Sequence, residues 1–243
     1  MENRRAAAGR KLDAHVLPGL PVLNPATRQH VPTVLLTGFA PFAGEKVNPS
    51  WQAVRELDGA MIGDYRVIAV ELPCEFDASL PMLWKALRKT EPHVAIAVGL
   101  AGGREGISLE RVAINLIDAR IPDNAGAQPV DVQVLRGGAA AFFATLPVKA
   151  SLQALQAAGI PAHISQTAGT YVCNQVFYAL MHALRRRRNT RAGFVHVPWL
   201  PKQAIAHGQP GMPRDQATRA LEIIVRTALN TPRDVKIAGG AVA

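Results

Sequence analysis

The sequence predicts an α/β fold: a three-layer α/β/α sandwich on a twisted, mostly parallel (mixed) sheet, in a single domain over residues 33–243. Two observations carry that expectation. Short apolar runs alternate with longer stretches of helical period, an order that builds a sheet covered by helices on each side. In HVAIAVG, residues 93–99, the run is unbroken, as in strands buried on both faces. With 243 residues and 49% hydrophobic content, the chain can enclose one sizeable core.

Residues 1–32 stand apart. Arg4, Arg5, Arg10 and Lys11 precede Pro18, Pro21, Pro25 and Pro32 with no sustained period, so an irregular extension is expected. Its apolar part, HVLPGLPVL, is broken by two prolines, which argues against a secretory signal. From Thr33, TVLLTG reads as a central strand stopped by Gly38. The loop FAPFAGEKVNPS displays Phe39 and Phe42, and Ser50 is the expected N-cap of a helix in WQAVREL. RVIAVEL follows as a strand, and DASLPMLWKALRK as a helix with Leu80, Leu83, Trp84 and Leu87 on one side. After HVAIAVG, the glycines of GLAGGREG resemble a dinucleotide or phosphate loop, but ISLERVAINL reads as one further strand where such loops open a helix.

The turn-rich DARIPDNAGAQPVD leads to short helices expected at residues 138–145 and 149–158, then a strand at PAHIS. Next, Val172, Val176, Leu180 and Leu184 recur every fourth residue, with Thr170 as the expected N-cap. Phe194, Val195 and Val197 form a strand stopped by Pro198. PRDQATRALEIIVRTALN is a last amphipathic helix, and KIAGGAVA reads as a frayed tail.

Three residues in this frame carry chemistry. Cys173 falls in the first turn of its helix, where unpaired N–H groups and the helix dipole favour thiolate. His196 lies near the carboxyl end of its strand, the edge where open α/β sheets bind ligands. Glu110 shares the even-numbered face of ISLERVAINL with Val112, Ile114 and Leu116, so a carboxylate points to a buried side and needs a partner; a salt bridge to a neighbouring arginine, Arg111 or Arg120, is the plainer reading of it. A cysteine, a histidine and a carboxylate are the parts of a nucleophile, its base and the group that orients the base.

Composition narrows the classes. The formal charge of +9 and the run Arg185–Arg188 invite a nucleic-acid reading, but no aromatics interleave with the run, and a solvated helix end accounts for it more simply. Cys74 and Cys173 lack metal-type spacing, which suits a reducing compartment. Seven histidines include no HExxH pair, so no metal site is expected. Nor is there an apolar run of about 18 residues to cross a membrane.

From about Thr33 onward the chain resembles pyroglutamyl peptidase I (pyrrolidone-carboxylate peptidase), a family of cysteine peptidases. The matching stretches are LLTGFAPFAGEKVNPSW, GLAGGREGISLERVAINLIDARIPDNAGAQPVD, TAGTYVCNQVFYALMHAL and GFVHVPWLP. The resemblance implies removal of N-terminal pyroglutamate from peptides, with Glu110, Cys173 and His196 catalytic and no cofactor. It further implies that Phe39, Phe42, Ile121, Tyr171 and Val172 surround the lactam, that Asn48 braces the first loop, that backbone around Leu100 bonds the lactam, and that Arg120 helps at the reacting carbonyl. A cytoplasmic homotetramer with no nucleic-acid or membrane partner is implied as well. Two departures stand out: Leu100 replaces the family's usual glutamine, and relatives tend to begin near the first strand. The competing readings are a nucleoside-processing enzyme on a similar framework and a basic nucleic-acid-binding protein using Arg185–Arg188 and the arm.

Overall fold

A computed structural model describes residues 31–240. The arm residues 1–30 and the last three of the tail lie outside them. The first strand β1 (Thr33–Phe39) leads to helix α1 (Pro49–Val54), a short strand β2 (Met61–Ile62) and β3 (Tyr65–Leu72). Then come α2 (Phe76–Thr90), β4 (Val94–Leu100), β5 (Ile107–Glu110), β6 (Val112–Ile114) and β7 (Ala141–Phe143). The chain continues through α3 (Val148–Ala157), β8 (Ala162–Ser165), α4 (Val172–Leu184), β9 (Arg191–Val197), α5 (Pro201–His207) and α6 (Arg214–Asn230). Neither β2 nor α5 was foreseen.

Seven strands form one sheet in the order β2-β3-β1-β4-β9-β5-β8. The central pairs β3/β1, β1/β4 and β4/β9 are parallel, whereas β5 runs antiparallel to β9. Strand alternation divides the apolar residues between two cores. Val34, Leu36, Ile96, Val98, Val195 and Val197 face α1, α3 and α6. Leu35, Phe39, Ala95, Ala97 and Phe194 face α2 and α4. On α6, Ala217, Ala220, Leu221, Ile224, Val225 and Ala228 recur at helical spacing and are buried, so that stripe fastens the helix to the sheet. The expected α/β/α sandwich is the architecture found.

Several local expectations are corrected. ISLERVAINL is two strands: the ladder breaks at Arg111, and β6 leaves the main sheet to pair with β7. Residues 138–145 therefore hold a strand, since β6 claims the backbone of 141–143. Asn48, and not Ser50, caps α1: its Oδ1 accepts from the Ser50 backbone N–H, while Ser50 Oγ accepts from the Phe39 N–H. Tyr171, and not Thr170, is the N-cap residue of α4, because the Thr170 hydroxyl is spent on the Asp118 carbonyl at 2.7 Å. The tail has no regular structure as far as Gly240, yet Arg111 donates to the Gly239 carbonyl, so that part lies on the domain. Asp234 accepts from the Lys149 and Ala150 N–H groups and so caps α3.

Candidate active site

Strand register sets two of the three candidate residues, Glu110 and His196, on one face, and α4 brings Cys173 to it. Gly99 on β4 is the parallel partner of His196 on β9, so their side-chain directions share the face covered by α4. A Cβ on Gly99 would come within 2.8 Å of Cys173 Sγ and 2.9 Å of the Phe194 ring. The sulfur therefore occupies the space that a side chain at 99 would fill, and it lines the same cavity as His196. On the other flank Glu110 pairs with Phe194, two residues before His196, which makes Glu110 and His196 diagonal neighbours on the same face. Glu110 Oε1 lies 2.7 Å from His196 Nδ1. With Nδ1–H donating to the carboxylate, Nε2 is left as the acceptor.

Glu110 is fully buried, and its cationic partner is neither Arg111 nor Arg120 but Arg104, whose Nη1 also bonds Oε1 at 2.7 Å. Arg104 reaches in from the loop between β4 and β5, and its Nη2 donates to the Thr167 carbonyl at 3.3 Å. Burial pushes the Glu110 pKa up, but the hydrogen bond and charge of His196 and the nearby Arg104 outweigh it and hold the group below the usual carboxylate range. Ser165, opposite Glu110 in the β5/β8 register, also favours the ionised form, although its hydroxyl here donates to the Thr167 carbonyl and Oε2 has no partner.

The cysteine departs from the thiolate expectation. Burial, then the neighbouring Cys74 and Glu110, push the Cys173 thiol well above its ordinary pKa, and these outweigh Arg104 and the backbone N–H that stabilise the anion. His196 is held below its usual value, chiefly by burial, with Glu110 pulling the other way. Both shifts favour the neutral forms, thiol at Cys173 and imidazole at His196.

These groups open on a cavity of about 200 Å³ at the carboxyl ends of β1, β4 and β9. Of the residues singled out in the sequence, Phe39, Phe42, Asn48, Leu100, Tyr171, Cys173 and His196 line it. Asn48 ties down the first loop through a bond from its Nδ2 to the Ala40 carbonyl. Phe42 and Phe76 pack on Tyr171 with ring centroids 6.4 and 5.2 Å away, and the Tyr171 hydroxyl donates to the Pro122 carbonyl. Val172 is not on the wall; its side chain is buried beneath α4. Arg120 is exposed and Ile121 half-buried, and neither borders the cavity. Among the described residues, no group of three or more His, Cys, Asp or Glu could hold a metal ion.

The pyroglutamyl peptidase family model matches residues 32–231. The chain belongs to the pyroglutamyl peptidase family. It is 55% identical over 210 residues to a pyrrolidone-carboxylate peptidase of Escherichia fergusonii, covering 86% of this chain and 98% of that one. To the corresponding Cupriavidus taiwanensis peptidase it is 53% identical over 213 residues, with coverage of 86% and 99%. Among solved structures, it resembles pyroglutamyl peptidase I of Bacillus amyloliquefaciens with a TM-score of 0.82 and 46% identity, covering 84% of this chain and all of the other. A mutant pyrrolidone carboxyl peptidase from the hyperthermophile Pyrococcus furiosus gives 0.79 and 42%, covering 81% and 98%.

Within this pyroglutamyl peptidase site, sequence reasoning missed Cys74, Ala101, Arg104, Ala168 and Gly169. Arg104 carried a signal in retrospect: it is the one cation in GLAGGREG, six residues before the carboxylate that needs it. Cys74 carried none, since it sits in a connection whose path over the pocket depends on Asp123, which accepts from the Phe76 N–H at the start of α2.

Proposed function

We infer that the protein is a cysteine-type pyroglutamyl peptidase that cleaves the amide bond after an N-terminal pyroglutamyl residue and releases pyroglutamate through a thioester acyl-enzyme. The observation that carries this reading is the composition of the cavity wall. Aromatic and small apolar side chains dominate it, Cys173 and His196 stand at its reactive edge, and none of its lining residues is an aspartate or glutamate. An N-terminal ammonium would be desolvated there without a counter-charge, whereas a neutral lactam loses little. At about 200 Å³ the space is below the ~300–1,000 Å³ usual for drug-sized ligands, which suits one flat ring.

The proposed chemistry uses the geometry as follows. Cys173 Sγ attacks the carbonyl carbon of the pyroglutamyl residue while His196 Nε2 takes its proton, and Glu110 stabilises the imidazolium that forms. The oxyanion is met by backbone N–H at the start of α4, chiefly that of Cys173. Collapse breaks the C–N bond as His196 returns the proton to the leaving amine, and water activated by the same imidazole hydrolyses the thioester. Backbone around Leu100, at the end of β4, bonds the lactam. Arg120 and Ile121 precede Pro122, whose carbonyl accepts from the Tyr171 hydroxyl of the cavity wall, and that adjacency is what supports a role for their loop near the substrate.

A peptidase unit of residues 33–243 behind an extension of 1–32 is supported by the family match, which begins at residue 32. A cytoplasmic homotetramer is carried over from the resemblance; no helix among the described residues is long and apolar enough to cross a membrane. The test is release of coumarin from a pyroglutamyl-coumarin amide, with and without prior alkylation. Thiol-sensitive turnover supports the reading. Absence of turnover by freshly reduced protein contradicts it.

A further inference from the structure

A second cavity, of about 370 Å³, opens at the opposite end of the sheet and is lined by Arg185, Arg187, Arg188 and Arg191. Arg191 begins β9 and His196 lies five residues on, so the two openings are separated by roughly 16 Å of strand at ~3.3 Å per residue. The cations come from two elements: three from the turn after α4 and one from β9. The helix dipole accounts for only the first, Arg185, which donates to the His182 carbonyl at 2.6 Å. Arg191 donates to the Thr231 carbonyl, a neutral acceptor. Of these four arginines, only Arg187 has a carboxylate partner among the described residues, Glu91, and that contact is 3.5 Å long with Glu91 partly in solvent. The single acidic residue lining the cavity, Asp234, already accepts from two N–H groups at the start of α3. The remaining wall includes Leu146, Pro147, Met181 and Leu184, and low-dielectric walls of this kind strengthen the field of the cations above them.

We propose that this arginine-lined cavity is a binding site for a compact polyphosphate group, either inorganic or the phosphate chain of a nucleotide. Four guanidinium groups set against one engaged carboxylate call for an anion carrying several charges on a small volume, and the planar fork of arginine matches phosphoryl oxygens in pairs. The site is concave and has no aromatic side chain in its lining on which bases would stack, which favours a small anion over a nucleic-acid strand. The inference does not rest on the peptidase reading, since none of these residues borders the Cys173 cavity.

The experiment is isothermal titration of the full chain with sodium tripolyphosphate and with ATP at matched ionic strength, beside the double variant Arg185→Gln, Arg188→Gln. The expected result is saturable binding that weakens at least tenfold in the double variant while turnover of a pyroglutamyl amide is unchanged. Equal affinity for the two ligands assigns the contact to phosphate alone, and tighter ATP binding extends it to the nucleoside. Should the double variant melt at a lower temperature, Arg188→Gln alone, which removes no hydrogen bond found in the structure, is read in its place. Absence of saturable binding, undiminished affinity in the variants, or binding seen only with DNA and growing with its length would overturn the proposal.

Discussion

Arg104 and His196 meet on the same oxygen of Glu110, each at 2.7 Å. A carboxylate shared in this way gives the imidazole an orientation without giving it the whole of the negative charge. Besides Glu110 and Arg104, Cys173 lines the same cavity as His196, and His163 is bonded to Ser108, the cross-strand partner of His196. Arg104 lowers the His196 pKa and Glu110 raises it. In Arg104→Gln the carboxylate acts unopposed, so protonation of His196 begins at higher pH. The acid limb of the kcat/KM profile should therefore move to higher pH in Arg104→Gln and stay nearer its wild-type position in Arg104→Lys. A fall in rate at every pH with the limb unmoved would mean that Arg104 only supports the loop.

Cys173→Ser should lower kcat by about 10³-fold or more, as loss of a nucleophile does in other covalent hydrolases. Cys74→Ser should retain most activity. Burial pushes the Cys74 thiol up to about 12, so iodoacetamide at neutral pH should leave it intact. Cys173 is partly exposed and should be alkylated first, at a rate that depends on His196 because its own thiol is also raised. Peptide mapping after timed alkylation, repeated with His196→Ala, checks both statements.

Gly99→Ala places a methyl group where Cys173 Sγ and the Phe194 ring now lie. Something must shift, and a displacement of the sulfur by even a fraction of an ångström removes its alignment with His196. We expect kcat to fall by about 10²-fold. Thermal unfolding measured alongside the kinetics separates misalignment from loss of fold.

Phe42 packs on Tyr171 at the pocket mouth, and Phe42→Ala should cost about 1–3 kcal/mol in kcat/KM as the aromatic wall opens. The loss should be similar for pyroglutamyl amides with different leaving groups, because Phe42 is assigned to the ring. A loss that varies strongly with the leaving group would place Phe42 on the other side of the scissile bond.

How far the sequence could be read depended on whether a feature was local. HVAIAVG and the four-residue spacing of Val172 to Leu184 state their own structure, since burial on both faces and on one stripe are written in the residues themselves. The break at Arg111 was invisible because both halves of ISLERVAINL have strand character, and the strand that draws β6 away lies about 30 residues later. Thr170 reads as a cap until the Asp118 carbonyl, 52 residues upstream, takes its hydroxyl. Cys173 and His196, the candidate nucleophile and base, were singled out from a helix start and a strand end, and Glu110 from the inward face of its strand. The upward push on the Cys173 thiol was not legible, because it comes from burial and from Cys74 and Glu110, which are distant in sequence.

The central claim is that Cys173 carries the pyroglutamyl group during turnover. Mass spectrometry of enzyme acid-quenched during hydrolysis of a pyroglutamyl amide reads this directly. One pyroglutamyl group should be found as a thioester on the peptide containing Cys173 and none on the peptide containing Cys74. Sustained hydrolysis by Cys173→Ser, or an adduct located on Cys74, would contradict the account.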